Sequence, residues 1–202
     1  NLANEAALNA ARRNAKKISM RDFSDAFDRL LLGTESPPLS NPQERKVVAY
    51  HEAGHTLIAA MTPGADPVLK VTIVPRGSAL GITAQMPNDD RRNYSEQYLL
   101  VRLLVLLGGR AAEKVMFNEV TTGAENDLRV VTALARRMVA QFGMSEALGQ
   151  LNFGTEDNQP FLGYSISQGR TYSEETAAKI DSEVRRIIDE AYAKTLAIIE
   201  EH

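Results

Sequence analysis

The stretch from Asn41 to Gly64 constrains the fold more than any other. Asn41 can be an N-cap, Pro42 sits at the first helical position, and Glu44 is placed to close a capping box. Thr62-Pro63-Gly64 is a stop signal, so a helix over about 42–61 is expected. Within it Val47, Tyr50, Gly54, Leu57 and Met61 form one stripe at helical spacing, and Val48, His51, His55 and Ile58 form the next. An apolar arc this wide places the helix at the centre of its domain. The same arc carries His51-Glu52-Ala53-Gly54-His55 into that centre.

Residues i and i+4 of a helix project about 40° apart, so the imidazoles of His51 and His55 can converge on one metal ion. Glu52 lies about 100° round from His51, too far to be the natural third ligand but within reach of a water at the metal, where a general base belongs. Small Ala53 and Gly54 leave room for close approach. HExxH on a helix is the pattern of a zinc hydrolase, far more specific than a lone histidine in a core.

The chain has no cysteine, so a metal must be held by imidazole and carboxylate. Position 58 is Ile and 61 is Met, which excludes the glycine and third histidine of a metzincin; the hairpin region Val68 to Met86 has no acidic residue, which excludes a glutamate about 20 residues on. The remaining histidine, His202, is terminal. The third ligand should therefore come from Glu113, Glu119, Glu125 or Asp127. The loop Thr121 to Asp127 is the most suggestive, because it delivers an acid to a helix start; Glu113, mid-helix, could equally support a ligand from behind.

Around this core the pattern is mainly α with a small β-sheet. Leu2 to Lys17 reads as a helix; Ser19 caps a second, with Asp22 in a capping-box position and Gly33 at its end. Thr34 to Asn41 has linker composition, so a domain boundary is expected there. Val68–Val74 and Leu80–Met86 read as hairpin strands, followed by helices over about 95–117 and 127–142. Residues 149–170 look irregular, and a last helix starts near Thr171 or Ser173.

A net charge of −3 over 202 residues gives no electrostatic footprint for nucleic acid. The cluster Arg12, Arg13, Lys16 and Lys17 reads as a solvated helix face. The longest apolar run, Tyr98 to Leu107, contains Arg102 and falls short of the roughly 20 residues of a membrane span. The chain as given is expected to be a soluble fragment, truncated at its C-terminal end.

The segments ERKVVAYHEAGH, VTIVPRGSALGIT, GGRAAE and TTGAENDL, in this order, resemble the FtsH-type membrane-anchored, ATP-dependent zinc metalloproteases. Residues 1–33, with NEAAL and AARRNAKKIS, resemble the end of the helical lid of that family's AAA+ ATPase; 34–41 would be the linker and 42–202 the peptidase domain. The resemblance implies one Zn2+ per chain on His51, His55 and Asp127, with Glu52 as catalytic base. It implies a homo-hexamer that degrades misassembled membrane proteins and short-lived soluble proteins, fed as unfolded polypeptide. The parent would sit in the bacterial inner membrane with this domain on the cytoplasmic side. GGRAAEK is not a Walker A motif, so ATP and Mg2+ would bind upstream of Asn1, where the membrane anchor would also lie.

Substrate is expected to lie along a sheet edge, of either 68–74 or 80–86. Two other readings compete: a ring-forming scaffold with a structural or idle zinc site, and a monomeric zinc peptidase unrelated to any ATPase. Intact Glu52 weighs against the first, since a structural site needs no base beside its metal.

Overall fold

The structure is a computed structural model that describes residues 1–87, 90–154 and 172–202. Its helices are α1 (Leu2–Arg12), α2 (Met20–Leu32), α3 (Pro42–Met61), α4 (Glu96–Phe117), α5 (Glu125–Ala140) and α6 (Glu174–Glu201); the strands are β1 (Val68–Thr72) and β2 (Ile82–Gln85). The chain is mainly helical with one small antiparallel sheet, as expected.

The helix starts follow local chemistry. The Asn41 side chain accepts the Gln43 N–H at 2.9 Å, Ser95 accepts that of Tyr98 at 3.2 Å, and Ser173 accepts that of Thr176 at 3.2 Å. Several boundaries differ from expectation. Helix α1 stops at Arg12 rather than Lys17, because Asn14 turns left-handed (φ 54°) and the Ala15 N–H returns to the Ala10 carbonyl at 2.9 Å. The strands are shorter than their apolar runs: the Val74 N–H bonds the Thr72 hydroxyl at 3.0 Å, and Arg76 pairs with Ala79 across a tight turn. Helix α5 begins two residues early, led in by a 3-10 turn at Thr122–Ala124. Of the segment expected to be irregular, 155–170 lies outside the described residues, as does Thr171.

Helix α4 connects the two apolar clusters. Leu99, Leu103 and Leu107 pack with Met138 of α5 and Ile180 and Ile187 of α6. Its other side sets Leu104 and Val105 against Ile58 and Ala59 of α3. On α3, the stripe of Val48, His51, His55 and Ile58 is the buried one, while Met61 of the neighbouring stripe is exposed. The two helices touch backbone to backbone. A Cβ on Gly54 would lie 2.3 Å from the Gly108 carbonyl oxygen, and one on Gly108 would lie 2.7 Å from that of Gly54. Only glycine at both positions permits this approach.

Helices α1 and α2 pack on small side chains, Ala6, Ala10 and Ala26, and form a separate minor unit. Polar contacts join it to the hairpin: Lys70 pairs with Asp28, and Arg76 donates to the Gly33 carbonyl at 2.8 Å and to Glu35 at 2.7 Å. The Ser36 N–H reaches the Pro75 carbonyl at 2.8 Å.

Candidate metal centre

His51 and His55 lie one turn apart on α3, both buried, with their rings facing α4. Each is held from behind. His55 Nδ1 lies 2.7 Å from the Val105 carbonyl oxygen, and His51 Nδ1 lies 2.7 Å from Glu113 Oε1. A carbonyl and a carboxylate only accept, so each Nδ1 donates and each neutral ring turns the lone pair of Nε2 forward. The two Nε2 atoms are 3.1 Å apart. Asp127, in the first turn of α5, brings Oδ2 to 3.2 Å from His51 Nε2 and 3.6 Å from His55 Nε2.

Three electron-pair donors thus converge with no N–H or O–H between them when both rings are neutral. A cation resolves that arrangement. Zinc with bonds of about 2.0–2.1 Å in tetrahedral geometry sets its ligand atoms about 3.3 Å apart, so the triangle has the right size. Among the described residues this is the group of three that can hold a metal. The local electrostatics agree. Burial works against a charged His51 ring, but the bonds to Asp127 and Glu113 outweigh it and raise its proton affinity. Burial would also raise the Asp127 carboxyl, yet the two histidines, once they carry a proton on Nε2, hold it down at about 2. A field that draws a proton to this point draws a metal cation as well.

The other candidates are now placed. Glu113, only 1 % exposed, does not join the triangle; it braces His51 with Oε1 and accepts the Thr121 N–H at 2.7 Å with Oε2. It thereby ties the ligand on α3 to the loop that leads to Asp127. Glu119 and Glu125 are exposed. Glu52 is 6 % exposed, and its Oε2 accepts from the Thr83 hydroxyl on β2 at 2.6 Å.

Several contributors had no readable signal in the sequence. The Val105 carbonyl belongs to the backbone of an apolar helix and no side chain marks it. Thr83 is one of two threonines in the described strands, and neither carries a motif. Gly109 and Gly81 are legible only afterwards: a Cβ on Gly109 would fall 2.5 Å from the His51 ring, and one on Gly81 would fall 2.7 Å from Glu52 Cγ and Oε1.

The site opens into a groove of about 1070 Å³ between α3, the 121–127 turn and the hairpin. On the sheet side its lining runs through Leu80, Ile82, Thr83 and Gln85, all in or beside β2, and includes no residue of β1.

The sequence has counterparts among known proteins. Residues 38–202 match the model of peptidase family M41. The ATP-dependent zinc metalloprotease FtsH of Syntrophotalea carbinolica is 49% identical over 202 residues, covering 100% of this chain and 31% of that protein. The protein of the same name from Thermobaculum terrenum is 51% identical over 199 residues, covering 98% of this chain and 31% of its own length. The chain therefore spans about a third of the length of these curated relatives. With its buried HEAGH helix, Asp127 beside both histidines and this match along most of its length, the chain belongs to peptidase family M41.

Proposed function

We propose that residues 42–202 are a zinc-dependent endopeptidase module in which His51, His55 and Asp127 hold the metal and Glu52 is the general base. The observation that carries this reading is the triangle of two imidazole nitrogens and one carboxylate oxygen, 3.1–3.6 Å on a side, with Glu52 buried one residue from His51.

Zinc, when bound, supplies a Lewis acid that acidifies a water and polarises the scissile carbonyl. The remaining work falls to the chain. Glu52 takes the proton of the attacking water on its carboxylate and returns it to the amine nitrogen as the peptide bond breaks. Val105 and Glu113 keep both rings in the tautomer that presents Nε2. The groove receives an extended peptide against β2, whose outer edge borders the site while β1 covers the inner one. Backbone pairing of that kind tolerates many sequences.

Residues 1–33 are read as the end of an ATPase lid and 34–41 as the linker to the peptidase domain. The parent protein is then an ATP-driven homo-hexamer acting on misassembled membrane proteins and short-lived soluble proteins. The names of the relatives, each an ATP-dependent zinc metalloprotease, support the ATP dependence and the proteolysis in that reading. Among the described residues no helix is long and apolar enough to cross a membrane. Attachment of the parent to a bacterial inner membrane, with this domain on the cytoplasmic side, belongs to the same reading.

Two variants test the site. Glu52→Gln should abolish casein cleavage while zinc stays at about one per chain; persistent cleavage removes Glu52 from the role of base. Asp127→Ala should lose zinc or bind it far more weakly. Full affinity in that variant, with the loss appearing in Glu113→Ala instead, overturns the ligand assignment.

A further inference from the structure

We propose that Thr83 is a positioning residue for catalysis: its hydroxyl anchors Glu52 Oε2, leaving Oε1 as the oxygen that carries the proton. The inference rests on the reading of Glu52 as general base.

The argument starts from a single hydrogen. Thr83 Oγ1 lies 2.6 Å from Glu52 Oε2 and 3.1 Å from the Glu52 backbone carbonyl oxygen, and it has one proton to donate. The carbonyl already accepts from the Thr56 hydroxyl at 2.8 Å, within a helix whose own N–H groups serve it. The carboxylate oxygen is nearer and charged, so the proton goes there; charge-assisted O–H···O⁻ bonds are short, about 2.5–2.7 Å.

The other oxygen is treated differently. Gly81 faces Oε1 and Cγ so closely that a Cβ there would come within 2.7 Å of both, and within 2.8 Å of Val48 Cγ1. Glu52 is therefore clasped between α3 and the start of β2, with one oxygen bonded and the other beside a bare backbone. A carboxylate that shuttles a proton must keep one geometry through both transfers, and misplacement by an ångström is costly to rate. Because Thr83 donates and a carboxylic acid retains an acceptor lone pair on its carbonyl oxygen, the bond to Oε2 survives when Oε1 is protonated. The anchor thus serves both the base and the acid half of the cycle. Thr83 also lies on the strand that borders the substrate groove, so the segment that receives the peptide sets the position of the group that attacks it.

The test compares Thr83→Val, Thr83→Ser and Glu52→Gln in the zinc-loaded chain, with an unstructured peptide as substrate. Valine keeps the shape and favours a strand; it removes only the hydroxyl. Loss of a hydrogen bond to a charged group should lower kcat by about 10- to 100-fold, with KM and zinc content within about twofold of wild type. Thr83→Ser should restore most of the rate. A crystal structure of Thr83→Val should show the Glu52 carboxylate displaced from its position. The proposal is overturned if Thr83→Val turns over like wild type while Glu52→Gln is dead, if its Glu52 carboxylate stays in place, or if serine fails to rescue it. Cleavage by Glu52→Gln would instead bring down the underlying assignment of the base.

Discussion

Two aspartates, one buried and one half-buried, can be compared directly. Asp22, in the α1–α2 unit, and Asp127, in the metal centre, are both held down at about 2. Their surroundings are opposite in kind. Asp22 is met by donors from its own chain: the Ser19 hydroxyl at 2.7 Å, the Ser19 N–H at 2.8 Å and the Arg13 guanidinium. Asp127 faces two imidazole nitrogens whose own protons are committed elsewhere, to Glu113 and to Val105. The first cluster is complete without a ligand; the second is complete only with a cation. A low carboxylate pKa therefore does not mark a functional site by itself. Counting protons between the polar atoms does, because a buried polar group must find its partner somewhere.

Substitutions at the glycines behind the metal centre should break this contrast most strongly. Gly54→Ala forces a Cβ against the Gly108 backbone, which cannot swing aside as a side chain can. A loss of about 3 kcal/mol or more is expected from such overpacking, seen as a lower denaturant midpoint together with lost zinc. Gly109→Ala should act similarly but less severely, by displacing the His51 ring. Neither should disturb the contacts between α1 and α2.

Next in size is the brace behind His51. Glu113→Gln retains the shape but replaces a carboxylate with an amide facing two N–H donors, and zinc affinity should fall about 10- to 100-fold in chelator competition. Asp22→Asn, at a buried aspartate outside the metal centre, should leave that affinity unchanged. A drop in both variants would mean the two clusters are coupled, against the comparison drawn above.

Acid should sharpen the contrast from the other side. The Ser19 hydroxyl, the Ser19 N–H and Arg13 depress the folded-state pKa of Asp22 to about 2, against an ordinary carboxylate value of about 3.9. Stability from a depressed carboxyl is fully present above the unfolded value and is lost as pH falls through the folded one. Protection factors for exchange at Ala6, Ala10 and Ala26, taken relative to the intrinsic rate at each pH, should therefore fall between about pH 4 and pH 2. In Asp22→Asn that fall should be absent, the protection already being reduced at neutral pH.

The smallest effect belongs to the contact between the α1–α2 unit and the hairpin. Lys70 and Asp28 are 38% and 23% exposed, so solvent screens their ion pair. Lys70→Ala should cost no more than about 1 kcal/mol and should matter less as salt rises. A larger, salt-independent loss would show that the junction is a true core contact.

Much of the fold was legible because its signals are local. Asn41-Pro42, Ser95 and Ser173 start helices by capping geometry, and Thr62-Pro63-Gly64 ends one, all within a few residues of chain. The limits of that reading are equally physical. The run from Val68 to Val74 has strand composition throughout, yet its last residues turn away, since the Thr72 hydroxyl captures the Val74 N–H. Asn14 ended α1 early by adopting a left-handed conformation that helical periodicity does not foresee.

The candidate site divides along the same line. His51, Glu52 and His55 could be read together because one helix turn places them together, whatever the remainder of the chain does. Spacing alone left Glu113, Glu119, Glu125 and Asp127 open as third ligand, since each is more than fifty residues away and no local rule measures that distance. Packing of α4 against α3, and of α5 against α4, separates them: it brings Asp127 to the imidazoles, turns Glu113 behind one of them and leaves the other two in solvent. The sequence by itself determined that a helix carrying HEAGH exists and which side chains it can offer to a metal. Only the tertiary structure decided which distant acid lies beside the imidazoles, which backbone carbonyl aims His55 and which strand hydroxyl holds Glu52, because those are contacts between elements, the second of them set by how closely two helices approach through Gly54 and Gly108.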